Sequence, residues 1–188
     1  MLAHWLLYHL GLQEARTQTT SQERRALAEF AAGASCVVEV GVFEGVTSRI
    51  LRRAMAPNGV LYCIDPFPTG RIGFSYGLSI TNRELRKESN ASCRILRNRS
   101  LAVAAEWHEP IDLIFIDADH EYAAVRADWN AWKAHVKPGG WIGFHDSQIV
   151  GVDPAMGPVQ VVREIVSVEP DYSVATVVDS LTVLRRGA

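Results

Sequence analysis

Apolar residues recur along this chain in two alternating rhythms. Thr20-Ser21-Gln22-Glu23 has the form of a capping box, and Leu27, Phe30 and Ala31 follow at helical spacing with Gly33 as the stop. Cys36 to Val40 is then a short apolar run rich in β-branched residues, the pattern of a buried strand. Gly41 to Gly45 form a turn, and Val46, Ile50 and Ala54 give the next helix its apolar face. Pro57-Asn58-Gly59 turns the chain into a second strand, Val60 to Ile64, which ends at Asp65. A third strand is expected at Cys93 to Leu96 and a helix at Leu101 to Trp107. The clearest strand, Ile111 to Ile116, ends on Asp117. Tyr122, Val125, Trp129, Trp132 and Val136 then alternate gaps of three and four, which predicts an amphipathic helix. Pro138-Gly139-Gly140 breaks it before a fifth strand at Trp141 to Phe144. Pro158 suits the first position of a helix through Val166. Tyr172 to Val178 and Leu181 to Arg185 close the chain as a hairpin around Asp179-Ser180.

Two stretches stand outside this rhythm. Between Pro66 and Ser92, Gly70, Gly73 and Gly77 are interspersed with Arg71, Phe74 and Tyr76, and a polar, helix-compatible piece, NRELRKES, follows. Residues 66–92 read as a lid over a site or as a plain surface insertion, and the sequence leaves both open. The opening MLAHWLLYHLGL is apolar but carries no basic leader region and no small-residue cleavage site, and it is too short to span a bilayer. Within residues 1–16, Leu2, Trp5, Leu6, His9 and Leu10 form a helical stripe that packs on the domain or on a second subunit of a homodimer.

Strands alternating with helices predict an α/β domain spanning residues 1–188. Its sheet has seven strands, is mostly parallel and doubly wound with helices on both faces, and ends in an antiparallel C-terminal hairpin strand. The chain has 188 residues, 48% hydrophobic, enough for a full core. Its formal net charge of −2 argues against a dedicated nucleic-acid binder. Cys36, Cys63 and Cys93 form no paired framework and read as reduced thiols, which suits a cytoplasmic protein without a membrane partner.

In an open α/β sheet, ligands bind at the carboxyl ends of the strands. Here those ends carry Gly41 and Gly45, Asp65, Ser100, the run Asp117-Ala118-Asp119-His120, and His145-Asp146. The glycines of the first turn are four residues apart, which is not the spacing of a pyrophosphate-binding fingerprint, and Glu44 within the turn would repel a diphosphate. Asp65 follows the second glycine by twenty residues, where a carboxylate can accept hydrogen bonds from ribose hydroxyls. Together these features predict a nucleoside cofactor with a positive centre and no phosphates.

EVGVFEG, the acid of CIDPF, IDLIFIDADH and VKPGGWIGFHD resemble the successive motifs of class I S-adenosylmethionine-dependent methyltransferases, over roughly residues 17–186. FIDADHEY followed by GGWIGFHD is most similar to the small-molecule O-methyltransferases of the caffeoyl-CoA, catechol, sugar and macrolide types. The resemblance implies a Rossmann-like fold and a small-molecule acceptor with a phenolic, sugar or natural-product hydroxyl. It also implies a cofactor site: Gly41, Gly45 and Thr47 at the amino-acid end, with Glu39 and Phe43 of the same turn and Asp117 beside the cofactor. Asp65 would hold the ribose, and Ser100 and Leu101 would lie near the adenine. A divalent metal, Mg²⁺ or another, would sit on Asp117, His145 and Asp146. This chain has His120 where the caffeoyl-CoA type has a lysine base, and His145 where an acidic ligand is usual. Imidazole suits proton transfer near neutrality and favours a transition metal over Mg²⁺. His120 is therefore the expected base, with Asp119 orienting it or replacing it. Three other readings stay open: a metal-independent methyltransferase using His120 or His145, a dinucleotide-dependent oxidoreductase, and a catalytically silent cofactor-binding module whose N-terminal helix recruits a partner.

Overall fold

The computed structural model describes residues 1–70, 73–148 and 153–187. Arg71, singled out in the sequence, lies outside that range. The helices are α1 (Leu2–His9), α2 (Ser21–Ala31), α3 (Val46–Ala54), α4 (Tyr76–Leu85), α5 (Ser100–Ala104), α6 (Tyr122–Trp132) and α7 (Gly157–Val168). The strands are β1 (Cys36–Val40), β2 (Val60–Ile64), β3 (Ser92–Leu96), β4 (Ile111–Ile116), β5 (Val136–Phe144), β6 (Tyr172–Val178) and β7 (Leu181–Arg186). They form one sheet in the order β3-β2-β1-β4-β5-β7-β6, with β7 antiparallel to both its neighbours and the β1 to β5 pairings parallel. This is the doubly wound, seven-stranded architecture that the element order predicts.

Alternation along each central strand builds a core on both faces. Ile114 and Ile116 of β4 pack with Val38, Val40, Trp129, Trp132, Phe144 and Val161 on one side. Leu113 and Phe115 pack with Leu27, Val37, Leu51, Leu61 and Val183 on the other. Chain order reverses between β1 and β4, so the loops after these two strands diverge and leave a crevice at their carboxyl ends. No helix among the described residues is long and apolar enough to cross a membrane.

Several boundaries differ from the sequence reading, each for a tertiary reason. The helix expected at NRELRKES begins earlier, at Tyr76. Ser75 caps it by accepting Leu78 N–H at 3.3 Å, and Ile80, Thr81, Glu84 and Leu85 are buried. Gly77 belongs to its first turn, where a side chain would press on the Phe43 carbonyl. Helix α5 stops at Ala104, and Trp107 instead donates its indole N–H to the Glu109 carbonyl at 2.6 Å. Pro138-Gly139-Gly140 lies inside β5 rather than before it, at a shift of register against β4. Helix α1 buries His4 and Tyr8, while Leu2, Leu6 and Leu10 stand exposed.

Candidate active site

Glycine at position 41 is dictated by the crevice itself. Its φ is +87°, and a Cβ there would lie 2.0 Å from the Asp117 carbonyl oxygen. The loops after β1 and β4 are therefore in backbone contact, joined by Asp117 N–H donating to the Val40 carbonyl at 2.8 Å. Gly41→Ala should destabilise the fold by about 3 kcal/mol, because the overlap is with backbone and no rotamer relieves it. Chemical denaturation measures this, and an unchanged midpoint would contradict the packing just described.

Around this contact opens a cavity of about 790 Å³, a size suited to a nucleoside-sized ligand. Glu39, Gly41, Phe43, Thr47, Asp65, Ser100, Leu101, Asp117 and Asp119 line it. Gly45, at φ +78°, does not; it gives close passage to Thr81 of α4. Glu39 is fully buried and accepts the Ser48 hydroxyl. Burial pushes its carboxyl well above the usual range, against that hydrogen bond. Asp65 pins the first turn. Its carboxylate accepts Val42 N–H at 3.0 Å, Phe43 N–H at 3.4 Å and Phe67 N–H at 2.6 Å, leaving limited accepting capacity for a ligand.

Glu44 is turned away from the cavity. It accepts Arg16 N–H at 2.5 Å and faces His4 Nε2 at 3.0 Å, so it anchors the N-terminal segment and repels nothing in the crevice. That anchor brings Arg16, Thr17 and Gln18 onto the cavity wall, which no local pattern announced. Asp128 of α6 was also missed. It stands in the apolar stripe of Val125, Trp129 and Trp132, and an acid in such a stripe is a readable signal. Burial raises its carboxyl above the ordinary range, opposed by Ser100.

At the ends of β4 and β5, Asp117, His120 and Asp146 converge, each offering a ligand atom within 4.8 Å of the others. His120 is exposed, and its Nε2 lies 2.8 Å from Asp146 Oδ2. Asp119 is not its partner: it accepts Glu121 N–H at 2.9 Å, in the turn just before α6. Asp146 holds φ at +48°, a conformation that asparagine and aspartate tolerate better than most residues. Its carboxyl is held well below the usual range, first by His145 and also by His120.

His145 is absent from this convergent group. It is buried, with Nε2 3.3 Å from Glu23 Oε2 and Nδ1 3.1 Å from Asp117 and 3.3 Å from Asp146. The two Nδ1 contacts are ion pairs off the line of a hydrogen bond. Burial alone would lower its pKa, but Asp117, Asp146 and Glu23 together raise it to about 12. His120, rather than the expected His145, completes the group of ligand atoms with Asp117 and Asp146, while His145 Nδ1 stays within contact of the same two aspartates from the buried side.

A family described as a methyltransferase domain matches residues 38–147, more than half of the chain. The chain belongs to that family. Solved structures repeat the fold. TomG, an O-methyltransferase of Streptomyces achromogenes involved in tomaymycin synthesis and solved with SAM, is 18% identical, with TM-score 0.68, covering 100% of this chain and 88% of TomG. An O-methyltransferase of Bacillus cereus solved with SAH is 18% identical, with TM-score 0.68, covering 98% and 90%. An rRNA methylase of Streptococcus thermophilus is 12% identical, with TM-score 0.64, covering 88% and 95%. At these identities the likeness is one of fold, and it spans acceptors as different as small molecules and RNA. An uncharacterized protein of Acanthamoeba polyphaga mimivirus, R132, is 42% identical over 48 residues; the match covers 26% of this chain and 22% of that protein.

Proposed function

We propose that this protein transfers a methyl group from S-adenosylmethionine to a hydroxyl of a small molecule, with His120 as the base. The observation that carries the reading is the meeting of the cavity under Gly41 with the Asp117–His120–Asp146 group at one strand-end crevice. When bound, the donor supplies a methyl group on a sulfonium, so the protein's task is to align the acceptor and take its proton. Asp146, ionised, can only accept a hydrogen bond, so His120 Nε2 carries a proton toward it and Nδ1 keeps the free lone pair. Nδ1 is the atom at which the acceptor's proton would be held.

Two carboxylates and one imidazole also suit a divalent transition metal better than Mg²⁺. Such an ion, held by Asp117 and Asp146 with His120, would lower the proton affinity of the acceptor hydroxyl. His145 argues for the alternative, metal-independent transfer, because a buried imidazolium already offsets the charge of both aspartates. The two routes make opposite demands on His120 Nε2, a lone pair for ligation or a proton for Asp146.

Calorimetric titration with S-adenosylmethionine, with and without Mn²⁺, separates these readings. Micromolar donor binding is expected, and its absence from a folded sample would sink the methyltransferase proposal. Mn²⁺ heat that disappears in Asp117→Asn would support the metal-assisted route; full turnover after chelation would support the other. Asp65→Asn is expected to weaken donor binding roughly tenfold, about 1.4 kcal/mol, and to lower the melting temperature as well, because both carboxylate oxygens accept backbone N–H groups and the amide can replace only one of them. Equal affinity would remove the ribose assignment.

A further inference from the structure

A second cavity, of about 700 Å³, lies beside α4 and the loop before it. Arg83, Arg86 and Arg97 line it together with His9, Thr69, Ser75, Ser79 and Asn82, and no carboxylate among the described residues does. In a chain of net charge −2, three guanidiniums around one concavity without an acid is a local reversal of sign. None of the three pairs with a carboxylate among the described residues. The nearby Glu84 points to the other side of α4, where it engages Tyr8, Arg49 and Lys87.

The hydrogen bonding inside the cavity leaves donors over. Arg83 donates to His9 Nδ1 at 3.1 Å and to the His9 carbonyl at 2.8 Å. Arginine can only donate, so Nδ1 is the accepting nitrogen and the proton of His9 sits on Nε2. His9 Nε2–H therefore donates to Ser79 Oγ at 3.2 Å, which also accepts Trp5 Nε1–H at 2.9 Å. With both lone pairs engaged, Ser79 has only its own proton left to offer. Ser75 likewise accepts Leu78 N–H and keeps a hydroxyl proton. Arg97 gives one N–H to the Phe67 carbonyl at 3.3 Å, and Arg86 makes no side-chain hydrogen bond among the described residues. Phe74 and Leu78 add one apolar wall, and Phe74 is itself packed edge-on by Trp5.

We propose that this cavity binds the phosphate of a phosphorylated small molecule. Several positive donors, spare hydroxyl protons and no competing acid are what a phosphate dianion requires, and planar guanidiniums match its oxygens. The apolar wall beside them fits the organic part of a phosphate ester, and the volume is that of a small-molecule site. The site is separate from the cavity under Gly41, with which it shares no lining residue among the described residues. It does not depend on the methyl-transfer reading.

The test is calorimetric titration of the full chain with sodium pyrophosphate, ribose 5-phosphate, ribose and a short oligodeoxynucleotide. The measurements are made at low salt and at about 0.15 M salt, because attraction to exposed arginines is screened. Both small phosphates are expected to bind and ribose to give no heat. Arg86→Gln should weaken ribose 5-phosphate roughly tenfold, the worth of one charge-assisted contact, and Arg83→Gln/Arg86→Gln should abolish binding. Thermal melting checks that the variants are folded, and Arg86→Gln decides alone if the double variant is not. No binding of either phosphate, or binding that Arg86→Gln leaves unchanged, would overturn the proposal. Pyrophosphate binding without ribose 5-phosphate binding would overturn its organic part. An oligonucleotide that binds more tightly than both would overturn the assignment to a small molecule.

Discussion

Glu23→Ala is expected to lower the unfolding free energy by roughly 3–5 kcal/mol, the cost of stranding a buried ionic partner. Glu23 is completely buried. One carboxylate oxygen accepts Thr20 N–H at 2.7 Å, closing the capping box of α2, and faces His145 Nε2 at 3.3 Å. The other accepts both the backbone N–H and the hydroxyl of Ser180, at 2.9 and 2.8 Å. A single side chain thus ties the start of α2, the end of β5 and the β6–β7 turn. Alanine would leave an imidazolium and three donors short of an acceptor in the interior. Glu23→Gln keeps the shape and removes the charge, and should cost less. The sign of the pH dependence follows from Glu23 itself. Burial would raise its pKa, but His145, Thr20 and Ser180 hold it at about 2, below the 4.5 of a free glutamate. A depressed carboxyl contributes its stability above pH 4.5 and loses it as pH falls toward 2. Urea unfolding of wild type and Glu23→Gln should accordingly differ by up to about 3 kcal/mol near neutrality and converge near pH 2. Parallel curves across that range would show that the charge of Glu23 stabilises nothing.

Glu23 also marks what a sequence can and cannot disclose. Its capping-box role was legible, because Thr20 and Glu23 are three residues apart and the partners are local. Its pairing with His145, 122 residues away, was not. The same division runs through the fold. Runs such as Ile111 to Ile116 carry their own strand signal, and the acids and glycines at their ends marked the crevice correctly as a place. Both neighbouring imidazoles reach the aspartates, His145 through Nδ1 from the buried side and His120 through Nε2 from the exposed side, and which side each takes depends on what α2 places behind β5. Arg16 to Gln18 reach the cavity only because His4 and Arg16 meet at Glu44, and the start of α4 is set by the Ser75 cap and the burial of Ile80 and Thr81. Long-range contacts decide each of these.

On any hydroxyl acceptor that gives turnover from a panel of phenols and sugars, His120→Ala should lower kcat by roughly 10²–10⁴-fold, the usual worth of a positioned general base. Donor affinity should stay within about twofold, since His120 does not line the cavity under Gly41. The companion variant Asp146→Asn separates base from ligand. An amide in place of the carboxylate can still accept a hydrogen bond from His120 Nε2, but it no longer offers the charge that favours a cationic ring once the proton has been taken. If His120 acts as a base held by Asp146, Asp146→Asn should shift the acidic limb of the rate profile to lower pH while Mn²⁺ changes nothing. If the group holds a metal, Mn²⁺ affinity should fall in both variants, and activity should return in part at high Mn²⁺ in Asp146→Asn. Unchanged kcat in His120→Ala, in a protein that still binds the donor, would move the proton transfer away from this crevice. The buried His145 would be a poor substitute, because Asp117, Asp146 and Glu23 raise its pKa and so favour its protonated form. The base would then have to be a carboxylate of the cavity wall, of which Asp119 is one.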